Sequence, residues 1–227
     1  MLINGFEKNT LLDYPGKISS IVFTYGCNLR CRYCHNPELV IQRRNQQSSI
    51  SEDVVLSYLK KRKGLIDALV ITGGEPTLQH DLIPFIRDVK DLGYLIKLDT
   101  NGVLDSIIKD LLDLDIVDYW AMDIKYPSEY YTEYDIDIKS IKRSIKYIME
   151  EGKDYEFRTT YVKGIHNIED SNEIGEMIHG AKRYYIQNFR EGKTIDPTLN
   201  SSNSFTEKEL NQIKNLVSKH VKHVEIR

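Results

Sequence analysis

The chain has 227 residues, 41% hydrophobic and 29% charged, a composition that suits one folded domain and excludes a disordered tail or a fibre. Its 31 Lys and Arg nearly balance 34 Asp and Glu, so the positive field that gathers polynucleotides is missing and no nucleic-acid partner is expected. No apolar run approaches the ~20 residues needed to cross a bilayer, and residues 1–8 lack the basic and apolar parts of a secretory leader, so a cytoplasmic protein with no membrane partner is expected.

The predicted elements alternate in type along the chain. Short β-branched or aromatic runs predict strands, and apolar residues at three- and four-residue intervals predict helices. A first strand, 19–25, leads into a polar loop, 26–36, that holds all three cysteines. Helix 52–63 follows, closed by Lys60-Lys61-Arg62-Lys63, where cations complement the helix dipole and a solvated helix end explains the run. Strand 68–72 runs into Gly73-Gly74-Glu75-Pro76 and helix 81–92; strand 95–99 runs into Asp99-Thr100-Asn101-Gly102 and helix 103–114. Strand 119–124 ends with Asp123 and is followed by Lys125 and a tyrosine-rich stretch, 126–134, read either as a docking surface or as loop packing. Helix 138–151, strand 155–162 with Arg158, helix 169–180 and strand 184–189 with Gln187 and Asn188 come next. Thr206 and Glu209 form a capping box before helix 207–219, and a last strand is predicted at 221–226. His179, His220 and His223 show no ligand spacing and are assigned to the surface.

No repeat or flexible linker divides the chain, so a single domain over 1–227 is expected, with its core at about 17–190 and a C-terminal helix and strand at 206–226. Strands separated by helices imply an α/β fold with a parallel sheet, either a barrel or an open doubly wound sheet. In both, the carboxyl ends of the strands share one edge, where ligands bind. The unusual polar segments all follow strands, so four stretches distant in sequence are expected to meet there.

Three cysteines between positions 27 and 34 have nothing to staple as disulfides and read as metal ligands. Cys27, Cys31 and Cys34 suit an iron–sulfur cube with one iron left free of protein thiolate, or a zinc ion completed by a histidine such as His35, His80 or His166.

The spacing of the cysteines, with Tyr33 before the last, resembles the signature of radical S-adenosylmethionine enzymes, and Thr72-Gly73-Gly74-Glu75-Pro76 resembles that superfamily's second motif. Leu11-Leu12-Asp13-Tyr14-Pro15-Gly16-Lys17, the segment Cys27-Asn28-Leu29-Arg30-Cys31-Arg32-Tyr33-Cys34-His35-Asn36-Pro37-Glu38-Leu39-Val40, Asp99-Thr100-Asn101-Gly102, Met122-Asp123-Ile124-Lys125 and Gln187-Asn188-Phe189-Arg190 are similar to the activating proteins of anaerobic ribonucleoside-triphosphate reductases. Many glycyl-radical activases carry Asp-Gly-Pro-Gly ahead of the cysteine loop; here Tyr14 stands between Asp13 and Pro15.

The resemblance implies a partial (β/α)6 barrel of the radical SAM type. It also implies a 4Fe-4S cluster on Cys27, Cys31 and Cys34, whose open iron binds S-adenosylmethionine. An electron then releases methionine and a 5'-deoxyadenosyl radical, which takes a hydrogen from a glycine Cα of a partner enzyme. By the same resemblance Tyr33 lies beside the adenine or packs against the cluster loop, Gly73 and Gly74 let a ligand approach the main chain, Glu75 lies near the methionine amino group and Pro76 shapes the turn. Asp99 and Asp123 help bind a monovalent cation, Lys125 contacts the cofactor carboxylate, Arg158 reaches the same carboxylate or pairs with Glu156 or Asp123, and Gln187 with Asn188 meets the ribose or methionine. The implied partners are a glycyl-radical enzyme, in the first place anaerobic ribonucleotide reductase, and reduced flavodoxin or ferredoxin as electron donor. Two further readings stay open on the residues alone: radical chemistry on another protein or a small molecule, and a non-catalytic module stabilised by zinc.

Overall fold

The computed structural model describes residues 1–40, 49–131 and 135–227. Each strand of its sheet pairs with the next in the chain: β1 (Ile3–Thr10), β2 (Ser19–Thr24), β3 (Ala68–Gly73), β4 (Leu95–Thr100), β5 (Tyr119–Asp123), β6 (Tyr155–Tyr161), β7 (Tyr184–Asn188) and β8 (Val224–Ile226). β1 runs antiparallel to β2, and every later pairing is parallel. Between them lie α1 (Pro37–Val40), α2 (Glu52–Lys61), α3 (Leu82–Asp91), α4 (Asp105–Asp113), α5 (Ser128–Tyr131), α6 (Ile138–Glu151), α7 (Asp170–Met177) and α8 (Glu207–Val217).

This order decides between the two architectures that the pattern left open. A doubly wound sheet reverses its strand order at a switch point, which sends helices to both faces. Here the order never reverses, so crossovers of one hand stack the helices on a single face and leave the other as the lining of an open, partial barrel. Alternation along the strands agrees with this. Val22, Leu69, Ile71, Ile96, Leu98, Trp120, Met122, Phe157 and Ile186 join the main core, whereas Ile21, Ala68, Val70 and Tyr119 form a separate cluster with Tyr14. That second cluster lies at the amino ends of the strands and closes the floor of the barrel. Tyr14, the residue that departs from the activase pattern, is 7% exposed, and its ring centroid is 5.5 Å from that of Tyr119.

Every predicted helix and strand is present, most of them trimmed at the ends. The capping box of α8 is made in both directions, Thr206 N–H to Glu209 Oε2 at 2.7 Å and Glu209 N–H to Thr206 Oγ1 at 3.3 Å. β8 is shorter than predicted, because the Val221 N–H still bonds back to the Val217 carbonyl of the preceding helix. β1 is an unpredicted strand. Much of it is exposed, so it lacks the alternating pattern that marks a half-buried strand.

Candidate active site

At the carboxyl ends of β2 to β5, one cavity is lined by Cys27, Cys31, Tyr33, Cys34, Gly73, Gly74, Glu75, Asp99, Asp123 and Lys125. Four predicted segments thus meet at one place. Pro76 is buried at the start of a short 3-10 turn, Pro76–Leu78. Gln187 lines an adjoining cleft with Thr160, His35 and Arg227. Asn188 is fixed against Phe205, donating to its carbonyl at 2.8 Å and accepting its N–H at 2.9 Å, so its amide is spent on the fold.

Both glycines stand where the backbone passes close to another segment of the chain. Gly73 has φ +119°, and a Cβ there would lie 2.3 Å from the Thr24 nitrogen; at Gly74 it would lie 1.9 Å from the Gly26 carbonyl oxygen. The Gly74 N–H donates to Thr24 O at 2.9 Å and the Glu75 N–H to Gly26 O at 2.7 Å. The turn after β3 is therefore clamped onto the root of the cysteine loop. Their close approach is first to the protein's own chain.

Glu75, expected beside an amino group of the cofactor, turns its carboxylate into the protein. Its Oε1 accepts from Thr77 N–H at 3.1 Å, Thr77 Oγ1 at 2.7 Å and Thr100 Oγ1 at 2.8 Å, and its Oε2 accepts from Asn101 N–H at 2.7 Å. It ties the turn after β3 to the end of β4. Burial pushes its pKa above the usual carboxylate value, although these four donors favour the ionised form.

The thiols are also held from neighbouring segments. Cys27 Sγ accepts from Leu29 N–H at 3.4 Å and Asn101 Nδ2 at 3.8 Å, and the same Nδ2 donates to Asn28 Oδ1 at 2.8 Å. The Tyr126 side chain hydrogen-bonds Cys31. Burial pushes the Cys27 thiol up to about 11 and raises Cys31, so metal binding there displaces protons from reluctant thiols. The histidines named for a zinc site are otherwise engaged or distant from burial: His35 Nε2 lies 2.7 Å from Arg190 O, His166 accepts the Val162 N–H on Nδ1 at 3.1 Å and meets Lys125 O through Nε2 at 2.9 Å, and His80 is exposed. Burial lowers the pKa of His166, in keeping with a neutral ring in this position.

Below the thiols an ionic row crosses the barrel interior. Asp99 Oδ1 meets Lys97 Nζ at 2.6 Å, Asp99 Oδ2 meets Arg158 at 3.3 Å, Asp123 Oδ1 meets Arg158 Nε at 2.8 Å and Asp123 Oδ2 meets Lys125 Nζ at 3.0 Å. Burial alone would raise both aspartates, but Arg158 with Lys97 holds Asp99 low, and Arg158 with Lys125 holds Asp123 well below the usual range. The expected pairing of Arg158 is therefore chiefly with the aspartates; Glu156 is farther, at 4.0 Å, and has Arg227 at 3.4 Å and the Tyr119 hydroxyl at 2.8 Å.

Lys125 is pinned through its backbone. Tyr33 OH donates to its carbonyl at 3.2 Å beside the His166 contact, and its N–H donates to Tyr131 OH at 2.9 Å. The Tyr33 ring is buried, with its centroid 5.9 Å from that of Tyr126 and 5.7 Å from that of His166. Tyr126 and Tyr131 are buried, so this part of the tyrosine-rich stretch is internal packing around the site; residues 132–134 lie outside the described residues. Sequence reasoning gave no role to Lys97, weighed His166 only as a zinc ligand, and carried Asn28, Asn101 and Tyr131 only as members of the cysteine loop, the polar segment after β4 and the tyrosine-rich stretch.

Three cysteines, a double-glycine turn and a lysine thus face one cavity at the carboxyl edge of the partial barrel. The sequence pattern of the radical SAM superfamily matches residues 21–178. A Methanocaldococcus jannaschii protein, whose name proposes it as a glycyl-radical enzyme activating enzyme, is 32% identical over all of this chain and 95% of its own length. The pyruvate formate-lyase-activating enzyme of Streptococcus mutans is 28% identical over 83% of this chain and 75% of its own. Among solved structures, Streptococcus suis SuiB bound to S-adenosylmethionine superposes with a TM-score of 0.66 at 17% identity, covering 91% of this chain and 51% of that one. The chain belongs to the radical SAM superfamily and, within it, to the glycyl-radical enzyme activating enzymes. Membership implies a 4Fe-4S cluster, S-adenosylmethionine and a glycyl-radical enzyme as partner. The donor set fits both groups: three thiols and one ammonium face the same cavity. Among the described residues no helix is long and apolar enough to cross a membrane.

Proposed function

We propose that this protein generates the glycyl radical of an anaerobic ribonucleoside-triphosphate reductase, in the cytoplasm, with reduced flavodoxin or ferredoxin as electron donor. When bound, the cluster and S-adenosylmethionine supply a 5'-deoxyadenosyl radical, which becomes 5'-deoxyadenosine on taking the glycine hydrogen. The carrying observation is that Cys27, Cys31, Cys34 and Lys125 line one cavity at the carboxyl edge of the barrel. The likeness of the segments at 11–17, 27–40, 99–102, 122–125 and 187–190 to reductase activators supports this choice of partner.

In this reading Cys27, Cys31 and Cys34 hold the cluster. Lys125, kept protonated by Asp123 despite its burial, meets the cofactor's carboxylate. Asp123 and Arg158 orient Lys125, and Tyr33, Tyr131 and His166 hold its backbone at the height of the pocket. Asp99 acts through Arg158, and Gln187 approaches the nucleoside from the adjoining cleft. Glu75 keeps the turn after β3 and the end of β4 together, which fixes the wall along which the cofactor lies.

The test is anaerobic reconstitution with iron and sulfide, followed by reduction with S-adenosylmethionine and the reductase, and electron paramagnetic resonance for a glycyl radical. We expect a brown protein with about four irons, and a glycyl signal in the reductase that Cys31→Ala abolishes together with the colour. A colourless protein holding one zinc, or a signal unchanged in Cys31→Ala, overturns the proposal.

A further inference from the structure

The resemblance calls for a monovalent cation between Asp99 and Asp123, and the geometry of this chain does not fit one. All four carboxylate oxygens of the pair already face a protein cation, at 2.6, 3.3, 2.8 and 3.0 Å. A hard cation binds through several oxygens at once, and every carboxylate oxygen that this pair could offer is already set against an ammonium or guanidinium. To reach them it would enter among Lys97, Arg158 and Lys125, and like charges at such distances repel strongly in a partly dry interior.

Lys97 is the unusual member of this row. It is 3% exposed, and its neighbours in register on either side are Val70 and Tyr119 of the apolar floor. Its aliphatic stem rises through that floor and delivers its ammonium to Asp99, two residues further along the same face. A buried ammonium is costly unless it is paired, so a lysine placed here is explained by what it neutralises. Lys97, Asp99, Arg158, Asp123 and Lys125 alternate in sign, and the row ends on a cation at the cavity. With Glu156, 4.0 Å from Arg158, and its own partner Arg227 included, four cations stand against three carboxylates and leave one positive charge to be met by an anionic ligand.

We propose that Lys97 and Arg158 supply from within the protein the positive charge between Asp99 and Asp123, so that the carboxylate of S-adenosylmethionine docks on Lys125 without an alkali-metal ion. Lys97 is then a positioning residue, acting on the cofactor through Asp99, Arg158 and Asp123. This inference rests on the proposed cofactor reading of the cavity.

The experiment compares N-methyl-D-glucamine, sodium and potassium chlorides at equal ionic strength, so that general screening is constant and only ion identity varies. Binding of S-adenosylmethionine to reconstituted protein is read by calorimetry, and thermal unfolding of the cluster-free protein is read alongside, which needs neither cluster nor activity. For the native chain we expect a Kd that differs by less than about twofold among the three salts, and an indifferent melting temperature. Lys97→Met, which keeps the stem and removes the charge, should bind about tenfold more weakly in N-methyl-D-glucamine and recover in sodium or potassium. Lys97→Arg, which keeps the charge, should stay indifferent to the salt and provides the second variant if Lys97→Met fails to fold. Alkali-metal dependence in the native chain or in Lys97→Arg, or a folded Lys97→Met that binds equally well in every salt, overturns the inference while leaving the cofactor reading intact. No binding in any salt overturns both.

Discussion

Two regions of this barrel bury carboxylates, and they do so in opposite ways. At the turn after β3, Glu75 is surrounded by neutral donors, the hydroxyls and N–H groups of Thr77, Thr100 and Asn101. Inside the barrel, Asp99 and Asp123 are surrounded by cations. Hydrogen bonds from neutral groups satisfy a carboxylate without compensating its charge, and burial raises the pKa of Glu75; cations compensate the charge, and both aspartates are held low. The first arrangement joins two loops. The second leaves an uncompensated positive end and so prepares a place for a ligand.

The largest expected effect breaks the first region. Glu75→Ala strands four donors and should destabilise the cluster-free protein by about 3–5 kcal/mol in chemical denaturation. Glu75→Gln should cost less, about 1–3 kcal/mol, because it keeps one acceptor and sets an amide N–H against that of Asn101. A negligible loss in both variants would remove the joining role.

A smaller effect separates the regions by pH. The folded pKa values of Asp99 and Asp123 are depressed, so their contribution is present above the usual aspartate pKa of about 4 and is lost as pH falls through the lower folded values. Glu75 has the opposite sign: acidification through its raised folded pKa relieves a cost. Arg158→Leu should therefore flatten the acid loss by about 2–3 kcal/mol, and an unchanged acid limb in denaturant melts between pH 6 and about 2 would show that the aspartates are not held low by Arg158. The smallest effect is that of Tyr33→Phe, which removes one of two donors to the Lys125 carbonyl and should cost about 0.5–1.5 kcal/mol in the same assay. A loss as large as that of Glu75→Ala would make the tyrosine part of the frame rather than a local support.

The contrast also explains what was legible in the sequence. Periodicity located the parallel strands and their helices, and the polar segments after the strands located the site, because both depend on local pattern. Strand order is not local, so pattern alone could not choose between barrel and doubly wound sheet; the resemblance pointed to the partial barrel, and the unbroken succession of β2 through β8 agrees with it. Glu75 was legible as a site residue, but its direction was not, since Thr77, Thr100 and Asn101 reach it from two different turns. Lys97 was hidden inside an ordinary strand pattern, where a single lysine reads as an outward-facing residue. His166 and Tyr131 act on Lys125 only through its backbone, and no side-chain motif records such contacts.

Tyr14, Ile21, Ala68, Val70 and Tyr119 pack together at the amino ends of the strands, so among the described residues that end of the barrel is filled with side chains. A molecule held against the thiols therefore comes and goes by the carboxyl edge, where the polar loops stand, or by the cleft beside β7 that Gln187 and Arg227 line. The pace of turnover can be governed at those openings as much as at the reacting atoms.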